Sequence, residues 1–324
     1  MDISQLADHI ENAYERIRDD IYKTRLLYAE ALSVQAGCQV YLKLESEQYT
    51  GSFKARGALN KVKASSPTDQ TFITASTGNH GAGFGRAIDI TEQKGIVCLP
   101  TSASASKVEK IRKYPVEIME VGADPLETEL FAKAHAKNEN AIYVSPYNDY
   151  DIIAGQGTIG IELINQLPDI DNVLITIGGG GLICGIGAYL KHHLTSVNII
   201  GCEPHNSMEM TLSLAAGKIV DQDDAAYTLS DGSAGGIEPG AITFPICQDI
   251  IDDTIIVSEQ EIGEAMKFIY KEHRLIIEGA AAVTVASLLQ KKESFKGRKV
   301  VLVICGGNID RDRHSEIVEG TISD

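Results

Sequence analysis

A repeated alternation constrains this chain more than any other feature. Beyond residue 70, short apolar runs trade places with helical patterns. Phe72-Ile73-Thr74, Gly95-Ile96-Val97-Cys98-Leu99, the segment 116–121 and Ala141-Ile142-Tyr143-Val144 read as strands, as do 173–177, 197–201 and 300–304. Helical segments separate most of them. A strand that needs a helix before the next strand is the mark of a βαβ unit, so the alternation predicts an α/β fold with mainly parallel sheets flanked by helices. The strands fall into two groups, one near 72–144 and one after 172. Two lobes follow, with a cleft between them: a small lobe over 71–148 and a large lobe that takes 1–70 and 149–324. A chain of 324 residues can bury cores of that size.

Charge narrows the partners. The formal net charge of −16 is the opposite of the basic face that nucleic-acid phosphates require, which argues against such a partner. Hydrophobic residues make up 44% and charged residues 23%, an ordinary soluble balance, and no apolar run approaches the length of a membrane span. The N-terminus, Met1-Asp2-Ile3-Ser4-Gln5, lacks the basic and apolar regions of a signal peptide. Six cysteines are scattered without a CxxC pair, so reduced thiols in a cytoplasmic protein are expected rather than disulfides or a zinc site. The last strand lies close to Asp324, so no further regulatory domain is expected after it.

Four segments can carry chemistry. Ser52-Phe53-Lys54 follows the alternating strand Val40 to Glu45 and a polar turn, and opens a helical pattern over 53–62. A lysine at a strand-to-helix turn can point its amine into a cleft while the turn holds its backbone, which suits condensation with an aldehyde cofactor. Alone, the tripeptide does not outweigh a plain surface lysine at a helix start. Gly178-Gly179-Gly180-Gly181 joins an apolar strand to a helix. Glycines let backbone N–H groups approach an anion and the helix dipole favours it, so a phosphate cradle is favoured over a turn selected for packing. The run matches neither G-x-G-x-x-G in register nor G-x-x-x-x-G-K-[ST], so a nucleotide is the weaker reading. Ser76-Thr77-Gly78-Asn79-His80-Gly81 sets hydroxyls, an amide and an imidazole at a strand end, where a carboxylate can be bound or a helix simply capped. Cys305-Gly306-Gly307-Asn308 ends the last strand; Cys305 is either a buried apolar residue or a weak hydrogen-bonding sulfur for a ring nitrogen.

In this order the four segments resemble the serine/threonine dehydratase and serine racemase family, pyridoxal-phosphate enzymes of the tryptophan-synthase-β fold, over nearly the whole chain. The resemblance implies roles. Lys54 corresponds to the Schiff-base lysine, Phe53 lies against the cofactor ring, and Asn79 bonds the ring hydroxyl. Gly178, Gly179, Gly180 and Gly181 hold the phosphate, and Cys305 faces the pyridine nitrogen. Ser76, Thr77, Gly78, Asn79 and His80 belong to the loop that takes the substrate carboxylate. The implied activity is removal of water and ammonia from a β-hydroxy amino acid, L-threonine or L-serine by default, by a homodimer. A divalent cation, magnesium or calcium, is implied at Glu203, Glu209 and the main-chain carbonyl of Ser207; two solvated glutamates are the plainer alternative.

Departures from the family pattern leave the reaction open. Thr77 stands where racemases carry serine and simple dehydratases often carry alanine, so a second acid/base on the face opposite Lys54 is a live alternative. Segments 145–149 and 231–237 also look family-like, and relatives with similar segments act on rarer substrates such as hydroxyectoine-pathway intermediates; 3-hydroxyaspartate is another candidate. A serine or aspartate racemase, or a protein that only carries pyridoxal phosphate, are the competing readings.

Overall fold

The computed structural model describes residues 1–103 and 105–320. Among the described residues ten strands form two sheets. The larger sheet contains β1 (Leu26–Tyr28), β2 (Gln39–Leu44), β7 (Asn172–Thr176), β8 (Asn198–Pro204), β9 (Asp253–Val257) and β10 (Lys299–Ile304), in the order β1-β2-β10-β7-β8-β9. The smaller contains β3 (Phe72–Ala75), β4 (Gly95–Leu99), β5 (Glu117–Glu120) and β6 (Ile142–Tyr143), in the order β5-β4-β3-β6. Every neighbouring pair is parallel except β1 with β2. The α/β expectation therefore holds.

Two strands escape the sequence reading. β1 is only three residues at a sheet edge, too short to show a period. β9 carries the β-branched run Thr254-Ile255-Ile256-Val257, a signal that was present. No helix among the described residues is long and apolar enough to cross a membrane.

The centre of the large sheet is β10. Leu302 pairs with Leu42 of β2 on one side and with Leu174 of β7 on the other, and all three are buried. Strands covered on both faces read as continuous apolar runs, as Val300 to Ile304 does. Parallel pairing brings the C-terminal ends of β2, β10 and β7 to one edge, the usual place for a ligand crevice in an open α/β sheet. The turn after β2 is stitched to the end of β10: Phe53 N–H donates to the Cys305 carbonyl at 3.0 Å, and Gly307 N–H to the Gly51 carbonyl at 2.9 Å.

The helix Lys54–Ala64 lies between the two lobes, with Ala55 through Asn60 all buried. Its Ala58, Leu59 and Val62 join the apolar cluster under the small sheet, together with Ile17, Ile21 and Ile152. The same helix is fixed to the large lobe by charge. Arg56 is fully buried and donates to Glu45 (Nε to Oε2, 2.7 Å) and Glu162 (Nη1 to Oε1, 2.7 Å). Lys43 Nζ meets the second oxygen of Glu162 at 2.5 Å, and Thr24 Oγ1 donates to Glu45 at 2.6 Å. Burial pushes the Glu45 carboxyl up, but the charge and hydrogen bonds of Arg56 outweigh it and hold Glu45 below its ordinary value. Arg56→Met removes the cation that Glu45 depends on and is expected to destabilise the fold by about 3–5 kcal/mol. An unchanged denaturation midpoint would contradict this account.

Candidate active site

Lys54 begins its helix at the stitched turn, so its backbone is held by the end of β10. Its side chain turns into the cleft between the sheets, and Nζ donates to the carbonyl of Pro146 at 2.7 Å. Burial pushes the amine down to about 8, partly offset by the Glu278 carboxylate nearby. A lysine poised there is neutral often enough to act as a nucleophile or base.

The cleft has a volume of about 840 Å³. Phe53, Lys54, Asn79, Gly178 to Gly181 and Cys305 all line it. These residues come from the turn after β2, the helix Asn79–Thr91, the loop after β7 and the end of β10. Within the glycine run Gly180, with φ of 88°, caps the helix Gly181–His193 without a side-chain hydrogen bond. That helix start leaves backbone donors for an anion. A Cβ on Gly179 would lie 2.4 Å from the ring of Tyr147, so only glycine lets Tyr147 close over the cradle. Cys305 is buried, and burial raises its thiol well above its ordinary value, so it stays neutral.

The loop 76–80 is divided. Asn79 faces the cleft; Ser76, Thr77, Gly78 and His80 are absent from its lining. Thr77 is half-buried, and Ser76 Oγ accepts from Gly78 N–H at 3.2 Å. His80 is buried, with Nε2 3.1 Å from the Val144 carbonyl, which assigns the ring proton to Nε2. Burial, then Lys54, pushes its imidazole down to about 3. It is neutral and faces the small lobe, so what this end of the loop can offer a carboxylate is backbone N–H.

Glu203 and Glu209 lie apart from the cleft floor, at the end of β8 and the start of the helix Glu209–Ala216. Both are buried. Glu203 accepts from the N–H groups of Met210 (3.1 Å) and Thr211 (2.8 Å), and Ser207 Oγ donates to Glu209 at 2.8 Å. Burial raises Glu203 to about 7, with Glu209 adding to the rise. Among the described residues no three His, Cys, Asp or Glu side chains gather as a metal site. A cation would need main-chain oxygen and water beside these two carboxylates, a donor set that suits magnesium or calcium.

Sequence reasoning missed Glu278, Pro146 as the Lys54 acceptor, and Tyr147 as the cradle's cover. Glu278 had a signal. It is the one acidic residue between Leu275-Ile276-Ile277 and the apolar helix Gly279–Gln290, where a buried carboxylate asks for a reason.

The chain belongs to the pyridoxal-phosphate dependent enzyme family, whose model matches residues 17–306. It is 38% identical over 313 residues to an L-threonine ammonia-lyase of Geobacter sulfurreducens, covering 96% of this chain and 77% of that protein. The L-threonine dehydratase catabolic TdcB of Escherichia coli K12 is 35% identical, covering 98% of this chain and 97% of the relative. Among solved structures, the processed form of threonine deaminase isoform 2 from Solanum lycopersicum matches with a TM-score of 0.93 at 32% identity, over 98% of this chain and 94% of that one. Maize serine racemase matches with a TM-score of 0.90 at 30% identity, over 97% of each chain. The residues fit the family's cofactor: a desolvated amine stands at one end of the cleft, and the uncapped glycine-rich helix start at the other can take a phosphate.

The lysine sets a pH dependence. Only the neutral amine attacks an aldehyde, and the neutral fraction falls about tenfold for each pH unit below the pKa. The rate at which apo-protein takes up pyridoxal phosphate is expected to climb with pH, then level off above about 8. A rate still climbing toward pH 10 in stopped-flow absorbance would mean that Lys54 is not desolvated.

Proposed function

We propose that this protein is a pyridoxal-phosphate-dependent ammonia-lyase that converts a β-hydroxy amino acid, L-threonine or L-serine, to a 2-keto acid and ammonia. The observation that carries the reading is the buried amine of Lys54, held at about 8, in a cleft whose glycine cradle can take a phosphate. Relatives named threonine ammonia-lyase and threonine dehydratase, alike over nearly the whole chain, support it. Residues 1–70 and 149–324 form the lobe that holds the cofactor, and 71–148 the lobe that brings the substrate loop. Two copies associate, and the six buried free thiols are in keeping with a cytoplasmic protein.

When bound, pyridoxal phosphate supplies a sink for the negative charge left at Cα. The chain's residues do the rest. Gly178 to Gly181 hold the phosphate with backbone N–H groups, Phe53 packs on the ring, and Asn79 bonds the ring oxygen. Ser76, Thr77, Gly78 and His80 present the loop that receives the substrate carboxylate. Lys54 takes the α-proton. The thiol of Cys305, being neutral, would lend a cofactor ring nitrogen beside it no negative charge and would not hold it protonated. A sink left weaker in this way would favour prompt loss of the β-hydroxyl.

A racemase is the second reading, carried by the Thr77 hydroxyl and by the likeness to serine racemase. Holoenzyme incubated with L- and D-serine, L- and D-threonine and the 3-hydroxyaspartate isomers separates the two. Keto acid from L-threonine or L-serine without enantiomer exchange is expected, with Lys54→Ala lowering the rate by about 10³-fold or more. Exchange faster than keto-acid release, lost in Thr77→Ala, would make the protein a racemase.

The cation at Glu203, Glu209 and the Ser207 carbonyl belongs to the same proposal. Ser207 Oγ also accepts from Gly235 N–H at 3.2 Å, in the loop that lines the cleft, so an ion there would brace that loop. Chelation is expected to lower the melting temperature by about 2 °C or more, with recovery on adding magnesium or calcium. Identical melting curves with and without chelator would remove the ion.

A further inference from the structure

We propose that Glu278 is the positioning residue of the cofactor site: its carboxylate locks the Asn79 amide in the one orientation that offers an N–H to the cofactor ring. The inference rests on the pyridoxal-phosphate reading of the cleft.

Glu278 stands at the N-cap of the helix Gly279–Gln290, where an acceptor side chain ordinarily bonds the first N–H groups of its own helix. It makes no such bond. The carboxylate instead crosses the cleft to Asn79, whose Nδ2 lies 2.9 Å from Oε1 and 3.1 Å from Oε2. Oε2 also accepts from Asn308 N–H at 3.1 Å, and Asn308 Nδ2 donates to Asn79 Oδ1 at 2.7 Å. The Glu278 and Asn79 side chains close a ring of hydrogen bonds with Asn308, which contributes both its backbone N–H and its side-chain amide.

The sense of that ring is fixed. An ionised carboxylate only accepts, so the Asn79 NH₂ must face Glu278 and its oxygen must face Asn308. Nδ2 carries two hydrogens; one serves the carboxylate, and the other remains as a donor toward the cleft that Asn79 lines. Flipped, Asn79 would set its oxygen against the carboxylate and offer the ligand an acceptor. The chain also keeps space for this arrangement: a Cβ on Gly306 would lie 2.4 Å from Oε1.

Charge follows the same geometry. Glu278 is only 4% exposed, and burial raises its carboxyl to about 7, with Asn79 pulling it down and Asp231 pushing it up. Lys54 on its helix, Asp231 on its loop and the thiol of Cys305 at the end of β10 are the titratable groups facing it. Because Cys305 stays neutral, ionised Glu278 is the negative charge that Lys54 and the ring site feel.

The test needs no substrate. Glu278→Gln puts an NH₂ group where the ring of bonds accepts, and should weaken pyridoxal phosphate binding to apo-protein by about 10–100-fold, the range for a hydrogen bond to a charged group. It should also abolish the step near pH 7 in the visible absorption of the bound cofactor, which Glu278→Asp should restore. Asn308→Ala, which alters no charge, should weaken binding and keep the step; it serves if the Gln variant does not fold. Wild-type affinity in Asn308→Ala, or wild-type affinity with an unmoved pH step in Glu278→Gln, would overturn the proposal. A wild-type protein that binds pyridoxal phosphate but deaminates no hydroxy-amino acid would refute the lyase and leave Glu278 in place. Failure to bind the cofactor at all would refute both.

Discussion

The site depends on a knot of buried charge that touches no ligand. Arg56 and Lys43 face Glu45 and Glu162 with almost no exposure to water, two cations against two anions. Such a group gains little net stability over well-packed apolar residues, but it tolerates only one arrangement of its members. Here the members come from β2, the turn that follows it, the helix Lys54–Ala64 and the helix Tyr150–Gln166. Arg56 is two residues beyond Lys54, so the knot that fixes one also aims the other. The contrast between two lysines makes the point. Lys43 is desolvated but bound to a carboxylate, and its work is structural. Lys54 is desolvated with a carbonyl as its partner, and that difference frees its amine for chemistry.

The lobes share apolar packing behind the cleft, where the helix Lys54–Ala64 joins the small-lobe cluster, and across the cleft itself they meet through polar contacts. Asn79 reaches Glu278 and Asn308 at the floor. At the mouth, Lys133 on the helix Pro125–Asn138 pairs with Glu129 on its own helix and with Glu238 in the facing loop at 2.7 Å. Tyr147 links the two levels: its ring covers Gly179 and its hydroxyl accepts from Glu238 N–H at 2.9 Å. Half-exposed contacts of this kind contribute little individually and can be exchanged for water at small cost. The cleft is therefore bounded by rigid strand ends below and replaceable contacts above.

Much of this was legible in the sequence, because its signals are local. Strand, turn and lysine lie within fifteen residues, and four consecutive glycines after an apolar strand have few other uses. What was not legible is relational. Glu278 matters through Asn79, 199 positions away, and no local pattern pairs them. His80 shows a second relation that composition does not carry: in the first turn of the helix Asn79–Thr91 successive side chains point about 100° apart, so neighbours in the loop need not face the same space. Asn79 goes to the cleft and His80 to the core of the small lobe.

The position of β10 has a consequence for how the chain comes into being. The strand at the middle of the large sheet is drawn from residues 299–304 of 324, and its partners β2 and β7 never pair with each other. As the chain emerges from the ribosome, those two strands wait with open edges, while the small sheet, complete by residue 143, can already assemble. Unpaired edges invite strands from other molecules. The interval before the last segment arrives is thus the molecule's most exposed moment, and the lysine turn, stitched to the end of β10, takes its place only when that moment is over.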